Sequence, residues 1–272
     1  MTEPQPHPES PNEPKNEPLK PDIWDIFIVC WIVISLIIAS DRVFEPWARK
    51  FKYILSELLQ IFAVGGYLFL RRYALSDLFR WRRMPGSIWK YLIPLALGLA
   101  IGFDALDRVI NIIIPIPPDQ IQYLREALQA DSWMQVAAVV VGIGLLAPWV
   151  EESIFRGVIQ QAFEARRSPV NAVLGTAILF ALVHFQPWWL IQLLIFAVII
   201  GYFTWMLDTI IPAFIIHAAN NLFSLALLSD WTVKWQRLYI WEGFIHPLWL
   251  LGSAVIIVWS WRKCVQVGLK SI

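Results

Sequence analysis

The sequence predicts an all-α, polytopic membrane helical bundle of about eight transmembrane helices with a disordered N-terminal tail. Three observations carry that reading. Of the 272 residues, 58% are hydrophobic. Only 16% are charged, against about 25% in an ordinary soluble domain. Apolar runs of about 20 residues, the length that crosses a bilayer as a helix, recur along the chain. The formal net charge of +1 argues against a strongly basic nucleic-acid binder. The two cysteines, Cys30 and Cys264, make no disulfide framework and match no metal-knuckle spacing.

Residues 1–22 read MTEPQPHPESPNEPKNEPLKPD. Proline recurs every few positions with almost nothing apolar to bury, so this stretch is expected to be a disordered, partly polyproline tail. With a polar tail in front, no cleavable signal peptide is expected, and the first apolar run is expected to be an uncleaved anchor. One transmembrane domain over 23–265 follows. Its spans are expected near 23–40, 53–70, 91–114, 134–151 with a polar extension, 169–187, 188–207, 209–229 and 244–261. Span two is weaker because Glu57 and Gln60 sit in its first half. In span three, Asp104 and Arg108 have the i,i+4 spacing of a helical ion pair. Trp81, Trp89, Trp188, Trp189, Trp241 and Trp261 mark span edges, as interfacial aromatic belts do. No internal repeat points to an inverted-repeat transporter.

Charge sets an orientation. Arg71, Arg72, Arg80, Arg82, Arg83 and Lys90 lie between spans two and three, and Arg262, Lys263 and Lys270 follow the last span. With eight spans these fall on one side, together with the tail and Arg166–Arg167. The opposite loops hold fewer basic residues, chiefly Arg42, Arg49, Lys50 and Lys52. The positive-inside rule then places both termini in the cytoplasm, with the plasma membrane as the expected location.

Ionisable groups are expensive inside a bilayer, so those present are functional candidates. Three clusters stand out. Glu151, Glu152 and Arg156 directly follow the run VAAVVVGIGLLAPWV. Phe180 and His184 lie in span five, and His217 and Asn221 in span seven. Glu152 and Arg156 are i,i+4 and can pair, which leaves Glu151 about 100° round the helix. His217 and Asn221 present two polar heads one turn apart. Pro148 should kink span four, and Gly142 and Gly144 permit close packing before it.

Depth can be counted from a hairpin turning near Ser168-Pro169, where serine caps and proline opens the next helix. Glu151 then lies about 25 Å back from the turn and His184 about 24 Å forward, at one level. The same count for His217, through span six, misses by roughly 10–15 Å.

A carboxylate beside two histidines and an amide has two chemical readings. Glu151 can act as general base on a water, with His217 and Asn221 donating to the oxyanion and His184 orienting the water or protonating the leaving amine. Alternatively, Glu151, His184 and His217 can hold a catalytic zinc ion. There is no H-E-x-x-H helix, and no serine or cysteine stands at a nucleophile-elbow spacing.

Glu-Glu-x-x-x-Arg at 151–156, Phe-x-x-x-His at 180–184 and His-x-x-x-Asn at 217–221, in this order on successive apolar spans, resemble the three motifs of the CAAX prenyl endopeptidase type II family. This is the CPBP group of intramembrane proteases, which includes bacteriocin-processing and immunity-associated proteins. The resemblance covers about residues 134–225. It implies an all-helical bundle and proteolysis inside the membrane, acting on membrane-embedded or membrane-associated peptides. By the same resemblance Glu151, His184, His217 and Asn221 are the catalytic residues, while Glu152, Arg156 and Phe180 are flanking motif positions. No cofactor is required on the glutamate reading, and zinc on the other. The competing classes are a non-enzymatic scaffold or immunity protein and a proton-relay transporter.

Overall fold

The computed structural model describes residues 20–48, 51–229 and 232–269. The expected tail over residues 1–19 lies outside them, as do Arg49, Lys50 and Lys270 and the side chain of Arg42. The chain begins its first helix, α1 (Ile23–Ala48), with a reciprocal cap. Asp22 Oδ1 accepts from the N–H groups of Trp24 and Asp25 at 2.8 and 2.9 Å, and Asp25 Oδ2 accepts from Asp22 N–H at 2.7 Å. Asp25 is buried and also accepts from Tyr67 and Tyr73 at 2.6 Å and from Arg71 Nε at 3.1 Å. These bonds clamp the start of α1 to the end of α2 (Lys52–Leu70). Burial and the Asp25 bond push the Tyr73 hydroxyl up to about 12.

A short helix α3 (Leu75–Leu78) and a 3-10 turn at Gly86–Ile88 lead into α4 (Trp89–Ile113). Then come α5 (Pro118–Leu128), α6 (Trp133–Glu164), α7 (Pro169–Val183), α8 (Leu190–Leu207), α9 (Ile211–Leu228), α10 (Val233–Tyr239) and α11 (Pro247–Gly268). Between α10 and α11 stands a two-stranded antiparallel hairpin, Ile240–Trp241 against Phe244–Ile245. Its turn, Glu242-Gly243, holds both residues at positive φ, the backbone a tight hairpin needs.

Six of these helices are long and apolar enough to cross a membrane: the first part of α1, α2, α6, α8, α9 and α11. Together with α4 and the shorter α7 they occupy the eight expected positions, and the protein is a helical membrane bundle. Large apolar side chains such as Trp31, Phe62, Ile112, Leu251 and Val255 are exposed, as lipid-facing surfaces require. α4 is the central rod and packs on α9 and α11. A Cβ at Gly98 would come within 3.0 Å of Ile257, so the α4–α11 contact is close.

Several boundaries differ from the sequence expectation. Span four is one helix of 32 residues that carries its polar extension to Glu164. Span five stops at Val183 rather than 187, because Phe185 turns left-handed and Pro187 follows. The last span starts at Pro247 and runs to Gly268, which buries Cys264. α5, α10 and the hairpin were not expected. The i,i+4 pair of Asp104 and Arg108 forms at 3.0 Å, and Tyr239 adds a 2.8 Å bond to the same carboxylate oxygen.

Candidate active site

α6 carries the first cluster and is not a uniform α-helix. Its central α-helical stretch, Ala147–Glu152, is flanked by π-helical turns at Val140–Leu146 and Ser153–Ile159. Pro148 thus makes its break as a widened turn ahead of it, of the kind that often accompanies functional sites. Each π turn rotates the residues after it relative to those before it, while Glu151 and Glu152, within the α-helical stretch, keep their ordinary offset of about 100°.

Three of the four expected residues come together. His184 Nε2 lies 3.9 Å from Glu151 Oε2, and His217 Nε2 lies 4.0 Å from the same oxygen. Glu151 and His184 meet at one level, as the hairpin count requires. The counted miss of roughly 10–15 Å for His217 does not occur, since its ring reaches the same carboxylate oxygen. Arg80 reaches Asp208 in the α8–α9 turn and Glu164 at the end of α6, so the two chain reversals are drawn together. Glu151 Oε2 is buried and makes no hydrogen bond.

The other ring nitrogens fix the histidines. His184 Nδ1 is 2.7 Å from the Phe180 carbonyl, and His217 Nδ1 is 2.8 Å from Glu152 Oε1. A carbonyl and a carboxylate only accept, so Nδ1 carries a proton in both rings and both Nε2 atoms face Glu151. Glu152 also receives Arg156 Nε at 2.9 Å, and both side chains of that pair are fully buried. The ion pair forms as spacing suggests, but Glu152 has a second partner in His217 that the spacing does not reveal. Phe180 is the wall behind the cluster. Its ring centre lies 4.7 Å from His184, 5.9 Å from His217 and 5.1 Å from the Arg156 guanidinium.

Asn221 is held by the backbone of α6. Its Nδ2 donates to the Ile143 carbonyl at 3.0 Å, one turn along α9 from His217. Glu151 and His184 line a cavity of about 220 Å³. The opposite wall comes from α1 and α2, with Ser40, Lys52, Ser56, Glu57 and Gln60 among its residues. Glu57 Oε2 is buried there without a hydrogen-bond partner. Sequence reasoning missed this wall, although Glu57 and Gln60 were the residues that weakened span two.

The donor set can be tested against zinc. Ligand atoms around a tetrahedral zinc stand about 3.3 Å apart, from bonds of about 2.0–2.1 Å. The separations from Glu151 to the two histidines are 3.9 and 4.0 Å. Among the described residues no group of three or more His, Cys, Asp or Glu is placed to hold a metal ion. Those separations exceed the zinc spacing by about 0.6 Å.

Comparison with known proteins agrees with the motif reading. The chain is 26% identical over 238 residues to the Bacillus subtilis (strain 168) uncharacterized protein YyaK, covering 77% of this chain and 75% of that one. No solved structure matches. Residues 133–223 match the family model described as type II CAAX prenyl endopeptidase Rce1-like, a stretch that contains Glu151, His184, His217 and Asn221. The chain is thus an integral membrane protein whose residues 133–223 are similar to the type II CAAX prenyl endopeptidase Rce1-like family, a family of CAAX-type proteases.

Proposed function

We propose that the protein is an intramembrane endopeptidase in which Glu151 activates a water for attack on a peptide carbonyl. The observation that carries this reading is the approach of two histidine Nε2 atoms, at 3.9 and 4.0 Å, to one buried and otherwise unpartnered oxygen of Glu151. Such a gap accommodates a bridging water. Glu151 takes a proton from it as the oxygen adds to the scissile carbonyl carbon. The oxyanion is held by His217 Nε2–H and by the Asn221 N–H not bonded to Ile143. In this step His217 carries protons on both nitrogens, with Glu152 as its counter-charge. The C–N bond then breaks, and the proton taken up by Glu151 passes to the leaving nitrogen, directly or through His184. Acid and amine depart, and Glu151 is again a carboxylate.

The apolar part of the cavity wall, Val33, Ile37, Ile154, Phe155 and Val183, suits hydrophobic side chains next to the cleaved bond. The substrates are CAAX-like C-termini or other membrane-associated peptides, processed at the plasma membrane with both protein termini cytoplasmic. The test compares the termini of membrane proteins and peptides in cells carrying wild type or Glu151→Gln. A set of termini should vanish with the variant while its abundance is unchanged. Identical termini would point instead to a scaffold. Turnover by the purified protein should survive tight chelation, and activity restored only by added metal would overturn the metal-free step.

A further inference from the structure

We infer that Pro148 is a positioning residue for this reaction, acting on Asn221 through the Ile143 carbonyl; the inference rests on the proposed role of Asn221 as an oxyanion donor. The reasoning starts from the hydrogen-bond ladder of α6. In the π-helical turn each N–H donates five residues back, and Ala147 N–H donates to the Gly142 carbonyl in that register. The next bond in the series would run from residue 148 to the Ile143 carbonyl. Pro148 has no N–H to give.

A backbone carbonyl left without a partner inside a membrane protein is costly. Ile143 instead accepts from the Asn221 side chain at 3.0 Å. The helices can approach closely enough for this because residue 144 is glycine. A Cβ there would fall 2.4 Å from Leu222 Cδ2, next to Asn221 on α9.

The consequence is directional. A side-chain amide has two N–H groups in one plane. Fixing one of them on the Ile143 carbonyl sets the direction of the other. The proline thus creates a vacancy in the ladder, and the vacancy orients the amide. Any residue with an N–H at position 148 can close the ladder and release Asn221 to rotate.

The experiment is a double-mutant cycle on the full-length protein in proteoliposomes, using a prenylated CAAX reporter peptide and thermal unfolding in parallel. Pro148→Ala should lower kcat about tenfold to a hundredfold with KM unchanged. In an Asn221→Ala background it should lower kcat no further. Asn221→Ala should lower Tm in the native background and leave it unchanged in the Pro148→Ala background, where the carbonyl has another donor. Pro148→Ser serves in the same way if the alanine variant does not fold.

Full kcat in Pro148→Ala would overturn the inference, as would losses that multiply in the double variant. Restoration of Asn221→Ala activity by Pro148→Ala would also overturn it, because the amide would then only patch the helix. Failure of the enzymatic reading itself shows separately, as hydrolysis undiminished by Glu151→Gln. The Tm cycle still decides the Pro148–Asn221 link in that case.

Discussion

His217 Nδ1 stands 2.8 Å from Glu152 Oε1, so the carboxylate next to the proposed base holds one of the histidines that flank it. Adjacent glutamates thereby have different tasks, one turned to the cavity and one buried against a ring and a guanidinium. Glu152→Gln keeps the size of the side chain but removes the counter-charge of His217. It should lower kcat by about a hundredfold or more with KM little changed; loss of the orienting carboxylate costs about 10⁴-fold in hydrolytic triads. Steady-state kinetics decide the matter, and unaltered kcat would mean that His217 is oriented by something else.

Arg156 should matter chiefly for stability. It is completely buried, is paired with Glu152 and has two guanidinium nitrogens without hydrogen-bond partners. Removing one member of a buried pair leaves an uncompensated charge, at a cost of about 3–5 kcal/mol. Arg156→Ala should therefore lower Tm strongly. Glu152→Gln combined with Arg156→Met should recover most of that loss without recovering turnover. Unchanged thermal stability in Arg156→Ala would reverse this assignment.

Much of this was legible in the sequence, for identifiable reasons. Span positions follow from apolar length alone, and the meeting of Glu151 with His184 follows from helical rise on either side of Ser168-Pro169. The approach of His217 was legible from the order of the motifs but not from helical rise, whose count leaves it roughly 10–15 Å short. The Glu152–His217 bond was hidden for a related reason. Spacing within α6 announces the i,i+4 partner Arg156, but π-helical turns change which residues share a face. The polar wall of α1 and α2 left only a weak trace, as Glu57 and Gln60 in an otherwise apolar span.

Gly157 is expected to tolerate no side chain. A Cβ there would lie 2.9 Å from Phe79 Cα and 3.0 Å from the Leu78 carbonyl oxygen, both backbone atoms that cannot swing aside. That loop also presents Trp81, which stacks on Trp149 at 5.2 Å and donates to Ser153 Oγ at 3.1 Å. Gly157→Ala should cost about 1–3 kcal/mol by overpacking. A Tm equal to wild type in detergent would show that the α6–loop contact is looser than these distances.

The last prediction concerns the face of the membrane on which the cavity opens. Arg71 with Asp22 and Asp25, Arg166 with the Pro21 carbonyl, Arg80 with Glu164 and Arg82 with Asp208 gather at one end of the bundle. Gly268 packs there too, against Met206 and Leu207. The cavity wall is built from the other end of the first two spans: Ser40 closes the apolar stretch of α1, and Lys52, Tyr53 and Ser56 open α2. Its mouth is therefore expected to face away from the basic end. In a background without Cys30 and Cys264, a membrane-impermeant thiol reagent should modify Tyr53→Cys and Arg167→Cys from opposite faces of sealed vesicles. On the proposed orientation, with the termini cytoplasmic, Tyr53→Cys is the variant expected to label from outside in right-side-out vesicles. Labelling of both from the same face would mean that substrate reaches Glu151 from the side of the termini.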